Sequence, residues 1–357
     1  MSSSTAAPAT PRRADVEEAA RWLSGRVVRT PVLRSPVIDR LAGAQVLLKA
    51  ENLQDGGSYK MRGALRAVGR LSAAGEAGVI AQSTGNHAVA VALAARQHGL
   101  AATVVLPVDA ARTKVDRARA AGARVLFAGT SVDERVSAAR KLSDETGHPV
   151  IDAYDHADVI AGQGSASLEL IEQAERAGTP LDALVVPVGG GGGVAGACLA
   201  AAGTGIEVYG VEPVGCDSLA RSLAAGERVA VAPAPTIADG LRPSCVGELP
   251  FAILRTAVRG VVRVDDEEIA AAFRLLLMEL KVLVEPSGAA GLAGALRLPA
   301  EAGGDRVGVP AGVPGAGRKR QRTVGVVLTG GNVEAALVAR LTAQQPADVT
   351  TVEGAAA

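Results

Sequence analysis

"GVIAQSTGNHAVAVALAARQHGLAATVVLP", residues 78–107, decides how this chain folds. An apolar, β-branched run (78–83) reads as a strand, "NHAVAVALAARQH" (86–98) as an Ala-rich helix, and "ATVVLP" (102–107) as a second strand. Strand, helix and strand in this order are the signature of a parallel sheet with helical crossovers. Two further rounds follow: "TKVDRARAAG" leads to "RVLFAG", and "VDERVSAARKLSDETG" leads to a last run, "PVIDAY". Beyond them come the strands "ALVVPV", "EVYGVEP", "GVVRV" and "RTVGVVLTGGN", with helices between. One of those helices, "DDEEIAAAFRLLLMELK", carries its own start signal, because Asp265 followed by Glu268 makes a capping box. The expected architecture is α/β, with mostly parallel sheets flanked by helices and a smaller unit, 73–152, inserted into a larger one built from 16–72 and 153–345. Ligands of such folds sit at the carboxyl ends of the strands. Residues 1–15 read as a disordered arm, 301–322 as a flexible loop with a solvated basic run, and 346–357 as a disordered tail.

Composition excludes several classes of function. A chain of 357 residues, 48% hydrophobic and only 2% aromatic, buries a core made mainly of Ala, Val, Leu and Ile. Lysine plus arginine equals aspartate plus glutamate at 37 each, so no net field draws a polyanion or a membrane surface. Neither nucleic acid nor membrane is an expected partner. Cys198, Cys216 and Cys245 are far apart and form no CxxC pair, which argues against a disulfide framework or zinc site and for a reducing, cytoplasmic setting. The first residues lack the apolar core of a signal peptide, and no run reaches the ~18 apolar residues of a membrane span.

Four stretches carry chemistry. In "DGGSYKMRGAL" (55–65), Lys60 stands at a helix mouth, either as a surface cation or as a covalent nucleophile. Gly189 to Gly193 follow an apolar strand and precede a helix, so backbone N–H groups and the helix dipole converge on a phosphate site; a tight turn of small residues is the plainer reading. Within this run Gly191, Gly193 and Gly196 satisfy G-x-G-x-x-G, and Glu212 ends the next strand, so a dinucleotide fingerprint is formally present. In "STGNHAVA", residues Ser83, Thr84, Gly85, Asn86 and His87 sit at a strand-to-helix handover, suited to a carboxylate or simply to capping. Thr329 to Asn332 end the last strand. A lysine beside a phosphate cradle suits an aldehyde cofactor that also carries a phosphate, and pyridoxal 5′-phosphate is both.

These residues resemble a known family. "LKAENLQDGGSYKMRGA", "STGNHAVAVALAA", "DVIAGQG", "PVGGGGGVAG", "GVEP", "TIADGL", "VEPSGAAGLA" and "LTGGN" occur in the order and spacing of the threonine/serine dehydratase and serine racemase family, pyridoxal-phosphate enzymes of fold type II. The resemblance runs from about residue 16 to 343. It implies that Lys60 forms the Schiff base and moves the Cα proton. It gives Asn86 to the cofactor's ring hydroxyl, Gly189, Gly190, Gly191 and Gly192 to its phosphate, and Thr329 to the pyridine nitrogen. Ser83, Thr84, Gly85, Asn86 and His87 become the loop that holds the substrate carboxylate. The implied activity is an ammonia-lyase turning a β-hydroxy amino acid such as L-threonine or L-serine into a 2-oxo acid and ammonia. Racemisation and β-replacement are alternatives on the same fold, and a nicotinamide-dependent dehydrogenase is the alternative from another class. A homodimer or homotetramer is the family's habit.

The chain also departs from the family. Tyr59 and Tyr154 replace common phenylalanines, either as packing rings or as phenols facing a polar substrate side chain. Thr84 stands where racemase-like members place the Ser that serves as opposite-face acid and base. A divalent-cation site of some relatives would use Glu212, the carbonyl of Cys216 and an acid at 218, but this chain has Ser218, with Asp217 one place early. The expectation is therefore no metal, with Glu212 and Cys216 the only candidates.

Overall fold

The computed structural model describes residues 10–83, 85–110, 112–130, 132–298 and 321–343. Nine strands occur among them: β1 (Val32–Leu33), β2 (Gln45–Lys49), β3 (Gly78–Ala81), β4 (Ala101–Leu106), β5 (Arg124–Phe127), β6 (Ala183–Pro187), β7 (Glu207–Pro213), β8 (Gly260–Val264) and β9 (Thr323–Val327). Six form one sheet in the order β1-β2-β9-β6-β7-β8, and three form a second in the order β3-β4-β5. Every pairing is parallel except β1 with β2. The register seats Val185 of β6 opposite Val326 of β9. Both strands are buried along their whole length, as a parallel strand covered by helices on two faces must be.

The helix read at 86–98 spans Asn86–His98, and the capping box closes as expected: the Glu268 N–H donates to Asp265 at 2.9 Å and the Asp265 N–H to Glu268 at 2.8 Å. Three expectations need correction. "PVIDAY" is not a strand but a single parallel bridge from Val150 to Ile80, because Asp152 accepts from the N–H groups of Tyr154 and Asp155 and turns the chain away. Part of the arm expected at 1–15 is helical: Arg13–Leu23 is a helix started by the Arg12 N–H donating to Asp15 at 2.7 Å. Residues 1–9 lie outside the described residues, as do 299–320 and 344–357, which contain most of the expected loop and the tail. Arg322, at the end of the basic run, is not solvated. It is buried, pairs with Glu207 at 2.7 Å and lies over the Tyr209 ring.

The strands point their carboxyl ends toward one region. There β2 leads into the turn carrying Lys60, β3 into Gln82–Gly85, β6 into the glycine run, and β9 into Leu328–Asn332.

Candidate active site

Lys60 opens the helix Lys60–Ala73, and the turn before it is fastened to the end of β9. The Tyr59 N–H donates to the Thr329 carbonyl at 3.0 Å, Ser58 bridges Gly330, and the Gly331 N–H donates to the Gly57 carbonyl at 2.9 Å. Beneath this helix lies a buried ionic network. Arg62 makes a two-pronged pair with Glu51 at 2.7 and 2.8 Å and reaches Glu169 at 2.9 Å. Glu169 also takes Lys49, whose ammonium donates to the Thr30 carbonyl at 2.7 Å. A network satisfied on all sides in low dielectric holds a segment rigidly, so the first turn of the Lys60 helix is fixed from below.

Lys60, Tyr59, Ser83, Gly85, Asn86, His87, Tyr154, Gly189, Gly190, Gly191, Gly192 and Thr329 all line one cavity of about 950 Å³. Thr84 lies outside the described residues. The Lys60 ammonium donates to the Ala153 carbonyl at 2.8 Å. Burial lowers its pKa to about 8 against the opposing charge of Asp152, so about a tenth of the amine is neutral and nucleophilic at pH 7, far more than of an ordinary lysine.

The glycine run is a cradle that side chains would destroy. A Cβ on Gly189 would stand 2.9 Å from the Gly240 carbonyl, and one on Gly190 would enter the Tyr154 ring. Gly191, at φ +91°, caps the helix Gly192–Ala201, and among the described residues no side chain caps its first N–H groups. Those donors and the helix dipole are available to an anion. The helix Asn86–His98 likewise starts with no side-chain cap among the described residues, and Ser83 accepts only from the Gly85 N–H at 3.2 Å.

His87 is a partial exception to its expected role. Its Nε2 pairs with the Ile151 carbonyl at 2.9 Å, and burial, then the Lys60 charge, depress its pKa to about 4. The ring is therefore neutral and committed to the small unit, and His87 offers the cavity its backbone rather than a cation. Asn86 has half its capacity in use: it donates to Glu285 at 2.8 Å and accepts from Asn332 at 2.8 Å. One amide N–H and one lone pair remain for a ligand. Glu285, absent from the expected site, has its carboxyl pushed up to about 7 by burial and then by Asp239. Its signal in the sequence is the "VEPSGAAGLA" motif, which marks the acid's place but not its role.

The two tyrosines pack against the glycines. Tyr154 covers Gly190 and Gly192, and the Tyr59 hydroxyl would stand 2.7 Å from a Cβ on Gly193. Neither hydroxyl has a hydrogen-bond partner among the described residues. The Lys60 ammonium lies 5.3 Å from the Tyr59 ring centre.

Glu212 belongs to another structure altogether. Its oxygens accept from the Leu219 and Ala220 N–H groups at 2.8 and 2.9 Å, so it caps the helix Ser218–Ala225 and is not free for a ribose. Gly196 serves helix packing, with its carbonyl 2.8 Å from a Cβ placed on Gly164. The dinucleotide fingerprint thus dissolves into a cap and a helix crossing. Of the metal candidates, Glu212 holds this cap and the Cys216 Sγ donates to the Ala234 carbonyl at 3.4 Å, while Asp217 beside them pairs with Arg221 at 2.9 Å and Arg263 at 3.4 Å.

A cradle of uncapped N–H groups, a lysine with a lowered pKa and a buried hydroxyl on Thr329 fit pyridoxal phosphate. Comparison with known proteins agrees. The family described as pyridoxal-phosphate dependent enzyme matches residues 23–311. L-threo-3-hydroxyaspartate ammonia-lyase of a Pseudomonas species is 40% identical over 90% of this chain and 95% of its own length. Serine racemase of Arabidopsis thaliana is 40% identical over 79% of this chain and 84% of its own. The crystal structure of the threonine deaminase of T.th. superposes with a TM-score of 0.81 at 41% identity, covering 91% of this chain and 99% of that one. The dehydrogenase alternative is overturned, and the chain belongs to the pyridoxal-phosphate dependent enzymes of fold type II, with pyridoxal phosphate as its cofactor.

Proposed function

We propose that the protein is an ammonia-lyase that converts a small β-hydroxy amino acid to its 2-oxo acid and ammonia. The observation that carries this reading is the convergence of Lys60, the uncapped helix start at Asn86 and the glycine cradle on one cavity. Relatives named as ammonia-lyases for 3-hydroxyaspartate and threonine support it. When bound, pyridoxal phosphate supplies an aldehyde for covalent linkage and a ring that draws the electron pair from Cα.

The protein's own groups do the rest. Gly189, Gly190, Gly191 and Gly192 hold the phosphate, and Asn86 keeps one N–H for the ring hydroxyl. Thr329, buried at the cavity wall, would offer a neutral hydroxyl to the ring nitrogen. Backbone N–H groups at Ser83–His87 take the substrate carboxylate. Lys60, as the neutral amine, would take the Cα proton. The β-hydroxyl leaves as water, a water returns in hydrolysis, and the products together have the composition of the substrate. Racemisation is the second reading, supported by the racemase relative and by the hydroxyl at Thr84.

Two measurements test this. The purified protein is expected to be yellow, to release 2-oxo acid from at least one β-hydroxy amino acid, and to lose visible absorbance in Lys60→Ala along with at least about 10³-fold of its activity. Retention of the band by Lys60→Ala would sink the role of Lys60. Loss of stereochemical purity without 2-oxo acid would select the racemase.

A further inference from the structure

The fifth glycine of the cradle has a neighbour of its own. Most side chains nearest the run are apolar: Pro243 beside Gly189, and Val246, Pro250 and Leu254 around Gly191. Tyr154 meets Gly190 with the near end of its ring, Cγ and the two Cδ carbons, so its hydroxyl lies at the end away from that glycine. Tyr59 meets Gly193 the other way round. Its hydroxyl oxygen comes first, 2.7 Å from where a Cβ would stand, and two ring carbons follow at 2.9 and 3.1 Å. A side chain at 193 would displace that oxygen. Glycine there keeps the hydroxyl beside the first turn of the helix Gly192–Ala201, whose leading N–H groups no side chain caps among the described residues.

This oxygen is placed but not used. The Tyr59 N–H is held by the Thr329 carbonyl at 3.0 Å, and Tyr59 immediately precedes the helix Lys60–Ala73, so the ring is positioned from a fixed backbone. The side chain lines the cavity, and its hydroxyl has no partner among the described residues. Burial, and then the charge of Glu285, raise the pKa of the phenol, so it keeps its proton and can donate it to an acceptor. The Lys60 ammonium lies 5.3 Å from the centre of the same ring. Tyr59 thus stands beside both the covalent anchor and the phosphate seat. Of the side chains nearest the five glycines, it alone presents a donor to them first.

We propose that the Tyr59 hydroxyl donates a hydrogen bond to the cofactor phosphate, adding a side-chain ligand to a cradle otherwise made of backbone. Charge-assisted bonds of this kind are shorter and stronger than those between neutral groups. This needs the cofactor but not the ammonia-lyase reading, because binding comes before any turnover. It takes Tyr59 out of both roles open to it in the sequence, a packing ring and a phenol facing a polar substrate side chain.

The test titrates the apoprotein of wild type and Tyr59→Phe with pyridoxal phosphate and with pyridoxal, which lacks the phosphate, and follows the visible band. Affinity for pyridoxal phosphate should fall roughly 10- to 100-fold in Tyr59→Phe, as expected for losing a hydrogen bond to a charged acceptor, while pyridoxal changes by less than about threefold. In the holoenzyme, the phosphorus NMR signal of the cofactor should shift between wild type and Tyr59→Phe. The apoprotein's melting temperature should stay the same, because the deleted oxygen has no partner in the protein. Equal losses for the two aldehydes would give the hydroxyl to the ring and overturn the proposal. Unchanged affinity for pyridoxal phosphate, or an unmoved phosphorus signal, would overturn it too. So would a lower melting temperature of the apoprotein, which would mean that the hydroxyl already serves the fold. None of these readouts involves turnover, so failure of the ammonia-lyase reading would leave the role of Tyr59 to be decided by them alone.

Discussion

The two units hold their parts of the site by opposite means. Under the Lys60 helix, the large unit buries Arg62, Glu51 and Lys49 completely and leaves Glu169 only 17% exposed, with each charge answered by another. The small unit's helix Arg112–Ala120 reaches across to the large unit by exposed contacts: Thr113 to Glu334 at 2.9 Å, Lys114 to Asp239 at 3.3 Å and Arg117 to the Asn332 carbonyl at 3.4 Å. The strands repeat the contrast, since β9 is buried throughout and β5 is exposed at both ends. The Lys60 helix is therefore anchored, while the opposite wall of the cavity hangs on ties that solvent can replace. A site that must keep its cofactor and exchange its substrate benefits from this division.

The strongest way to break the contrast is Arg62→Met. It strands Glu51, which is 0% exposed, and loss of one partner from such a buried pair costs about 3–5 kcal/mol. Thermal or urea unfolding should register this in full, and the cofactor's visible absorbance should weaken as the Lys60 turn loosens. A loss below about 1 kcal/mol would mean that the network is not what fixes the lysine.

How far the sequence reached follows the same line. Lys60, the glycine run and the Asn86 helix start were legible because each is a local pattern: a turn, a glycine cradle, a cap. The ionic network was not, since Arg62 meets Glu169 across 107 residues, and no local pattern marks which of 37 acids will be its partner. Nor was the chain from Glu285 through Asn86 to Asn332, whose links span 199 and 246 residues. Glu212 shows the reverse error: a spacing that matched a cofactor motif turned out to be a helix cap.

A smaller effect lies where the two units meet, at Glu285, which accepts from Asn86 of the small unit. Its carboxyl is raised to about 7, first by burial and then by Asp239. A group whose folded pKa is raised contributes stability that is full below the unfolded value and is lost as pH rises through the folded one. Wild type should therefore lose stability relative to Glu285→Gln between about pH 4.5 and 7, read as the difference between two melting curves taken across that range. A difference that is flat with pH would remove Glu285 from the proton balance at the joint between the units.

The smallest effect should come from Lys114→Met, which keeps the aliphatic stem and deletes only the charge facing Asp239. That pair has its side chains 34% and 66% exposed, so its contribution to unfolding free energy should be under about 1 kcal/mol and should fade in high salt. If Lys114→Met instead matched Arg62→Met and ignored salt, the small unit would be bolted to the large one as firmly as the lysine is to its network. Substrate would then have to enter a cleft with no movable wall. A small, salt-sensitive loss, together with a raised KM and a preserved cofactor spectrum, is what a loosely tied substrate wall over an anchored nucleophile requires.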